Sequence, residues 1–289
     1  MTQMILTDLD GTLLNTAGEI SSLNLKGINA LKNAKIDFAI ISGRSCEFLE
    51  RLTNYYGVNC HLIGLNGAEI KLKNSEIVTM DIISQSTAKD IITFLEQKEV
   101  VFQTFTVDEE LVITGDFVID KVLSIAKQKF NNNRDILQSS LYLYLELFEG
   151  KKQLESIREY IITNTKEVLK LEIIDSSDCV RKEIINMLKK YNDINLTNIS
   201  TNSLEINSEK VNKGAAVRYL LEKLNIDKNM VIGIGDGLND IELFKNVGKS
   251  ICVSNAPEFI QKSVDKVIGT NDSSEIGNLF LDIVKEKAR

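Results

Sequence analysis

The chain of 289 residues has no tryptophan, one proline and one histidine, and aromatic residues make up only 6% of it. The lone His61 leaves little material for a Ser-His or Cys-His nucleophile, and it follows Cys60 in a segment, VNCHLIGLNG, that reads as entering a core. The four cysteines, Cys46, Cys60, Cys179 and Cys252, stand far apart and form no CxxC pair. That excludes a Cys/His zinc site of the usual spacing and argues against a disulfide framework. Positive charge is also short, with 34 Lys and Arg against 41 Asp and Glu and a net charge of -7. A general electrostatic grip on nucleic acid or anionic lipid is therefore not expected. No apolar run approaches the roughly 18 residues of a membrane span. The N-terminus, MTQMILTDLDGT, has neither a basic region nor a long apolar stretch before Asp8. The expected setting is cytoplasmic, with no membrane and no nucleic-acid partner.

What is present is the composition of a folded protein, 43% hydrophobic and 26% charged. The length suggests about two domains. Short apolar runs alternate with helical patterns, as in a parallel sheet covered by helices. Strands are expected at Met4 to Thr7, Asp37 to Ile41 and His61 to Leu65, with helices at Ser22 to Asn33 and Ser45 to Tyr55. Each strand delivers polar residues at its carboxyl end, where open α/β sheets place ligands. From about Ile82 the pattern changes to an α+β insertion. Its expected helices are Ser86 to Lys98, Lys151 to Ile162 and Asp178 to Tyr191. Its expected strands are Val100 to Thr106, Leu111 to Thr114, Leu141 to Leu147 and Val168 to Ile174. After Leu204 to Ile206 the α/β pattern returns, with a helix from Lys213 to Leu224 and an apolar strand from Met230 to Ile234. The fold class is thus α/β, a Rossmann-like doubly wound parallel sheet formed by residues 1–82 and 200–289, with an inserted α+β domain over 83–199.

With one histidine, chemistry falls to carboxylates. Asp8 and Asp10 stand two residues apart at a strand end, and Gly11 permits the sharp exit that lets both reach one cleft. Two such carboxylates repel each other, and a Mg²⁺ ion, which favours a few carboxylates with water and phosphate oxygens, relieves that repulsion. A second acidic cluster, Gly235-Asp236-Gly237-Leu238-Asn239-Asp240, follows another buried strand and supplies further oxygen ligands. It lacks the GxGxxG spacing of a dinucleotide loop, and its aspartates would repel a pyrophosphate. Ser42-Gly43-Arg44 and Lys213-Gly214 add a hydroxyl, backbone N–H groups and an ammonium suited to a phosphoryl group.

In order, DxDGT at Asp8 to Thr12, SGR at Ser42 to Arg44, KG at Lys213-Gly214 and GDxxND at Gly235 to Asp240 resemble the four motifs of the haloacid dehalogenase superfamily. The NGA segment at Asn66 to Ala68 and the late Asn255-Ala256 pair resemble its Cof-type phosphatases, whose type IIB cap is inserted between the second and third motifs. Lys213 rather than Lys210 matches the third motif, because Gly214, Ala215, Ala216 and Val217 follow it. Glu242-Leu243 departs from the apolar pair the subgroup often carries after ND.

The resemblance implies a Mg²⁺-dependent phosphatase for a small phosphorylated metabolite, such as a sugar phosphate or phosphorylated cofactor. In it Asp8 is the nucleophile that forms an aspartyl-phosphate, and Asp10 is the general acid and base. Lys213 is catalytic, and Thr12, Ser42, Gly43 and Asn239 hold phosphate. Asn66 and Gly67 meet the substrate, and Asp8, Asp10, Asp236 and Asp240 serve the metal, Asp10 through its backbone carbonyl. The inserted cap sets specificity. A phosphomutase or phosphotransferase on the same fold is the alternative, followed by a non-enzymatic phospho-receiver, for which the insertion is superfluous. Monomer and homodimer are both compatible with the sequence.

Overall fold

The computed structural model describes residues 2–129, 147–175, 178–200 and 203–288. The chain divides into two compact units, Met1–Met80 with Val211–Arg289, and Asp81–Lys210.

The first unit is built on a sheet whose strands follow the order Lys266–Ile268, Lys249–Val253, Val231–Gly235, Met4–Asp8, Asp37–Ile41, His61–Gly64, Glu69–Lys71, Ile77–Thr79. Neighbours run parallel up to His61–Gly64, and the last two strands are antiparallel. Residues along the central strand alternate between two cores. Ile5 joins Phe38, Ile40, Ile232 and Ile234 against the helices Ser22–Asn33 and Glu275–Lys287, while Met4 and Leu6 join Ala39, Ile41 and Cys252 against Lys213–Leu224. A strand buried on both faces has no wet side, which is why these segments read as continuous apolar runs. Phe38 and Phe280 meet edge to face at 5.7 Å. The register sets Asp8 beside Ile41 and Thr7 beside Ile234. Asp8, Ser42 and Gly235 therefore leave the sheet at one carboxyl edge.

The helices Ser22–Asn33 and Lys213–Leu224 and the strand Asp37–Ile41 lie where the sequence placed them. The three-residue strands Glu69–Lys71 and Ile77–Thr79 were not expected, being too short to show a period.

The second unit holds a sheet in the order Ile194–Ser200, Ser203–Ser208, Val168–Asp175, Val101–Thr106, Glu110–Ile113, Lys152–Leu154. All its pairings are antiparallel except that of Glu110–Ile113 with Lys152–Leu154. One face, carrying Phe102, Leu111, Leu171, Ile173, Leu204 and Ile206, packs on the helices Gln85–Gln97, Ile157–Thr163 and Asp178–Leu188.

Two expectations change here. The helix expected over Lys151 to Ile162 is a strand, Lys152–Leu154, followed by a helix that begins at Ile157. Ser156 caps it by accepting the Glu159 N–H at 3.1 Å, and a cap residue ends helical continuity. Leu204 and Ile206 do not restart the parallel sheet; they bury on the helix-covered face of the second, so the boundary expected at 200 lies after Lys210. Residues 141–146 of the strand expected at Leu141 to Leu147 lie outside the described residues. The helix Asp116–Lys129 and the strand Ile194–Ser200 are additions.

Candidate active site

Asp8 ends the central strand, 6% exposed. The chain then turns through Leu9–Leu13, with Asp10 extended (φ -77°, ψ 125°) and Gly11 left-handed (φ 78°). A Cβ on Gly11 would stand 2.7 Å from Asp236 Oδ2, so this turn needs glycine both for its backbone and for its neighbour. Asn255 fixes the same turn by donating from Nδ2 to the Gly11 carbonyl at 2.8 Å.

The second acidic cluster emerges from the adjacent strand Val231–Gly235. Asp240 Oδ2 accepts the N–H groups of Asp236 and Gly237 at 3.0 and 2.8 Å. Its other oxygen accepts from Lys213 Nζ at 2.6 Å. Asp240 is fully buried and so thoroughly bonded that it acts as an anchor for the loop. Thr12 donates its hydroxyl to Asp236 Oδ1 at 2.6 Å.

Lys213 begins the helix Lys213–Leu224, whose cap, Asn212, accepts the Ala215 N–H at 2.8 Å. A helix N-terminus disfavours a cation. Here two carboxylates override that preference, because the buried ammonium donates to Asp8 Oδ1 at 2.5 Å as well as to Asp240. Burial works against the charge of Lys213, yet the charges of Asp240 and Asp8 raise its pKa.

Asp8, Asp236 and Asp240 each offer an oxygen within 4.8 Å of the others. Two of the three, Asp8 and Asp240, share the one ammonium, and Asp236 adds a further negative charge beside them. Burial raises the pKa of Asp8 well above the usual carboxylate range; Lys213 opposes this, and the charges of Asp240 and Asp236 add to it. Asp236 is pushed up to about 6, chiefly by burial, with the Thr12 hydrogen bond opposing and the charge of Asp240 adding. Such a cluster is short of positive charge, and an all-carboxylate donor set suits a hard divalent ion of the Mg²⁺ kind.

The remaining expected residues divide. Ser42 is buried, its Oγ accepting the Arg44 N–H at 3.2 Å and its carbonyl the Asn66 N–H at 2.9 Å. Gly43 is half-buried in the same turn. Asn239 donates to Asn66 Oδ1 at 3.3 Å, bringing the fourth motif and the Asn66 segment together. Gly67, at φ 106°, faces the Lys213 helix instead, where a Cβ would come within 2.8 Å of Ala216 Cβ. Thr12, expected on phosphate, spends its hydroxyl on Asp236. The Asp10 carboxylate stands outside the three-carboxylate group and binds Arg44. Lys210 belongs to the other unit, where its exposed ammonium pairs with Asp81 at 3.6 Å. The bracing roles of Asn255 and Thr12 were missed; the first was visible only as the Asn-Ala pair, and the second joins positions 224 residues apart.

A family model described as haloacid dehalogenase-like hydrolase matches residues 5–279. Among individual proteins, the chain is 25% identical over 269 residues to the 5-amino-6-(5-phospho-D-ribitylamino)uracil phosphatase YcsE of Bacillus subtilis, covering 93% of this chain and 90% of that one. It is 26% identical to the phosphatase YwpJ of the same organism, covering 96% and 98%. Among solved structures, a haloacid dehalogenase-like hydrolase from B. subtilis superposes with a TM-score of 0.84 at 23% identity, over 97% of this chain and 99% of that one.

Proposed function

The chain belongs to the haloacid dehalogenase-like hydrolase family, it is a hydrolase of phosphate esters, and we propose that it hydrolyses a small phosphorylated metabolite through an aspartyl-phosphate on Asp8, with Mg²⁺ bound. The observation that carries this reading is the buried Asp8, held at a strand end by Lys213 and flanked by the carboxylates of Asp236 and Asp240.

Asp8, Asp236 and the Asp10 carbonyl would hold the metal, with Asp240 behind them. Bound there, Mg²⁺ supplies charge neutralisation for the phosphoryl oxygens. The rest belongs to the protein. Lys213 engages one oxygen of Asp8, leaving the other to attack phosphorus. As the Asp8–phosphorus bond forms, the bond to the ester oxygen breaks, and Asp10 gives that oxygen a proton. Asp10, now ionised, takes a proton from water as the water oxygen bonds to phosphorus and Asp8 leaves. Ser42, Asn239 and Lys213 stabilise the transferring oxygens, which concentrate negative charge in the transition state. Thr12 serves by orienting Asp236.

The relatives named as phosphatases support a phosphorylated small molecule as substrate. We assign the choice among such molecules to the inserted unit, residues 81–210. Among the described residues no helix is long and apolar enough to cross a membrane.

The test is phosphate release from a panel of sugar phosphates, nucleotides and phosphorylated cofactors, with Mg²⁺ and with chelator. Metal-dependent release by the wild type, absent in Asp8→Asn, is the expected result. Release by Asp8→Asn at the wild-type rate would overturn the reading.

A further inference from the structure

Asp10 is the most exposed member of the acidic set. It lies between a buried strand and a left-handed glycine, its side chain is 47% exposed, and it is not among the three clustered carboxylates. A carboxylate on such a turn rotates freely unless something fixes it, and an isolated exposed ion pair does not fix it well. Arg44 differs from an ordinary exposed partner. Its Nε donates to Asp10 Oδ2 at 2.8 Å and its Nη2 to Oδ1 at 2.9 Å, a bidentate fork that sets the plane of the carboxylate as well as its position.

The arm carrying that fork is itself braced. The guanidinium lies 4.4 Å over the Phe48 ring. Phe48 belongs to the helix Cys46–Tyr55, whose first turn is tied by Ser45 accepting the Phe48 N–H at 3.3 Å and by Glu69 accepting the Cys46 N–H at 2.7 Å. The backbone of Arg44 is held on both sides, its N–H donating to Ser42 Oγ at 3.2 Å and its carbonyl accepting the Leu65 N–H at 2.8 Å. A fork on a rigid mount has one evident use, which is to hold Asp10 in a single orientation.

We infer that Arg44 is a positioning residue that fixes the Asp10 carboxylate for proton transfer to the leaving oxygen and from the attacking water. This rests on the phosphatase reading above. The fork takes one lone pair from each carboxylate oxygen and leaves the others free to carry the proton. In this role Arg44 acts through Asp10, so its loss should matter in proportion to how much the leaving group needs a proton.

The experiment compares two substrates in single turnover, enzyme in excess with Mg²⁺, for wild type, Arg44→Lys and Arg44→Ala. Glycerol phosphate has a poor leaving group that must be protonated; 2,4-dinitrophenyl phosphate has one that leaves unaided. Arg44→Ala should lose about 100-fold on glycerol phosphate, the lower range for general acid catalysis, and less than about threefold in dinitrophenolate release. Arg44→Lys, which keeps the charge without the fork, should show the same split, and millimolar methylguanidinium should restore part of the Arg44→Ala loss. Equal losses on both substrates would overturn the inference, because Arg44 would then act on the phosphoryl group or on the fold. No loss on either would overturn it too. A wild type inert toward both, with Asp8 never phosphorylated, would bring down the phosphatase reading and this inference with it.

Discussion

Among the described residues two lysines lie fully buried, one in each unit, and each is shared by two carboxylates. Lys213 donates to Asp8 and Asp240. Lys170 donates to Glu172 at 3.0 Å and to Glu205, and sits 5.2 Å over the Phe105 ring. In both, burial opposes the ammonium charge and the carboxylates outweigh it, raising the pKa. The surroundings separate them. Lys170 lies mid-strand within a ladder that binds it on both sides, Glu205 and Glu172 facing one another in register. Lys213 opens a helix at the edge where the strands end, and a third carboxylate, Asp236, leaves its cluster with a larger deficit of positive charge. Near-identical ion-pair chemistry gives cross-strand cohesion in one place and, in the function proposed above, a metal- and phosphoryl-binding centre in the other. Location on the sheet decides which.

The largest expected difference is kinetic. Lys213→Met should lower kcat by about 100- to 1000-fold, the usual cost of one transition-state donor, whereas Lys170→Met should leave the single-turnover rate of the folded fraction within about threefold. Phosphate release normalised to folded protein checks both. A comparable loss in Lys170→Met would erase the distinction.

Next comes stability. Lys170→Met strands the buried Glu205 beside the half-buried Glu172 and should cost about 3–5 kcal/mol by urea unfolding, the range for breaking a buried pair. Replacing Glu205 with Leu and Glu172 with Gln in the same chain should recover most of that. An unchanged midpoint in the single variant would show that the Lys170 cluster adds no cohesion.

Metal should affect only one of the two. At about 100 times its dissociation constant, Mg²⁺ should add roughly 2.7 kcal/mol to the unfolding free energy of the first unit, and Asp236→Asn should abolish most of that gain. Thermal melts with Mg²⁺ and with chelator read it directly.

The smallest effect lies on the surface of the second unit. Glu109 is held at about 2, chiefly by the Tyr160 hydroxyl at 2.6 Å, with Lys152 and Lys166 adding. Its folded pKa is depressed, so its stabilisation is complete above the ordinary glutamate range and fades as pH falls from there toward 2. Solvent screening keeps the amount to about 1 kcal/mol or less. Glu109→Gln should flatten that part of the acid-unfolding curve, and an unaltered curve would assign the acid transition elsewhere.

The same contrast explains how much was legible in the sequence. Asp8, Ser42, Asp236 and Lys213 could be read because each follows a short apolar strand or opens a helix, and a parallel sheet gathers such ends at one edge. Lys170 could not. In VLKLEIID it and Glu172 look like the wet face of a strand, and only the pairing with Ser203–Ser208, which the sequence pattern assigned to the other domain, shows that the face is closed. Thr12 on Asp236, Arg44 on Asp10 and Asn255 on the Gly11 carbonyl join distant positions. Local propensity carries no trace of such partners. The strand at Lys152–Leu154 failed for the opposite reason, since an apolar spacing compatible with a helix was overridden by pairing with Glu110–Ile113.

The central claim is that Asp8 is the nucleophile. The most direct measurement is an acid quench of the wild-type protein during turnover of a phosphorylated sugar with Mg²⁺, followed by mass analysis of the peptide that contains residues 1–26. The account predicts one phosphoryl group on Asp8 that disappears as substrate is exhausted and is absent in Asp8→Asn. Steady phosphate release by the wild type with Asp8 unmodified at every quench time, together with turnover by Asp8→Asn, would contradict it.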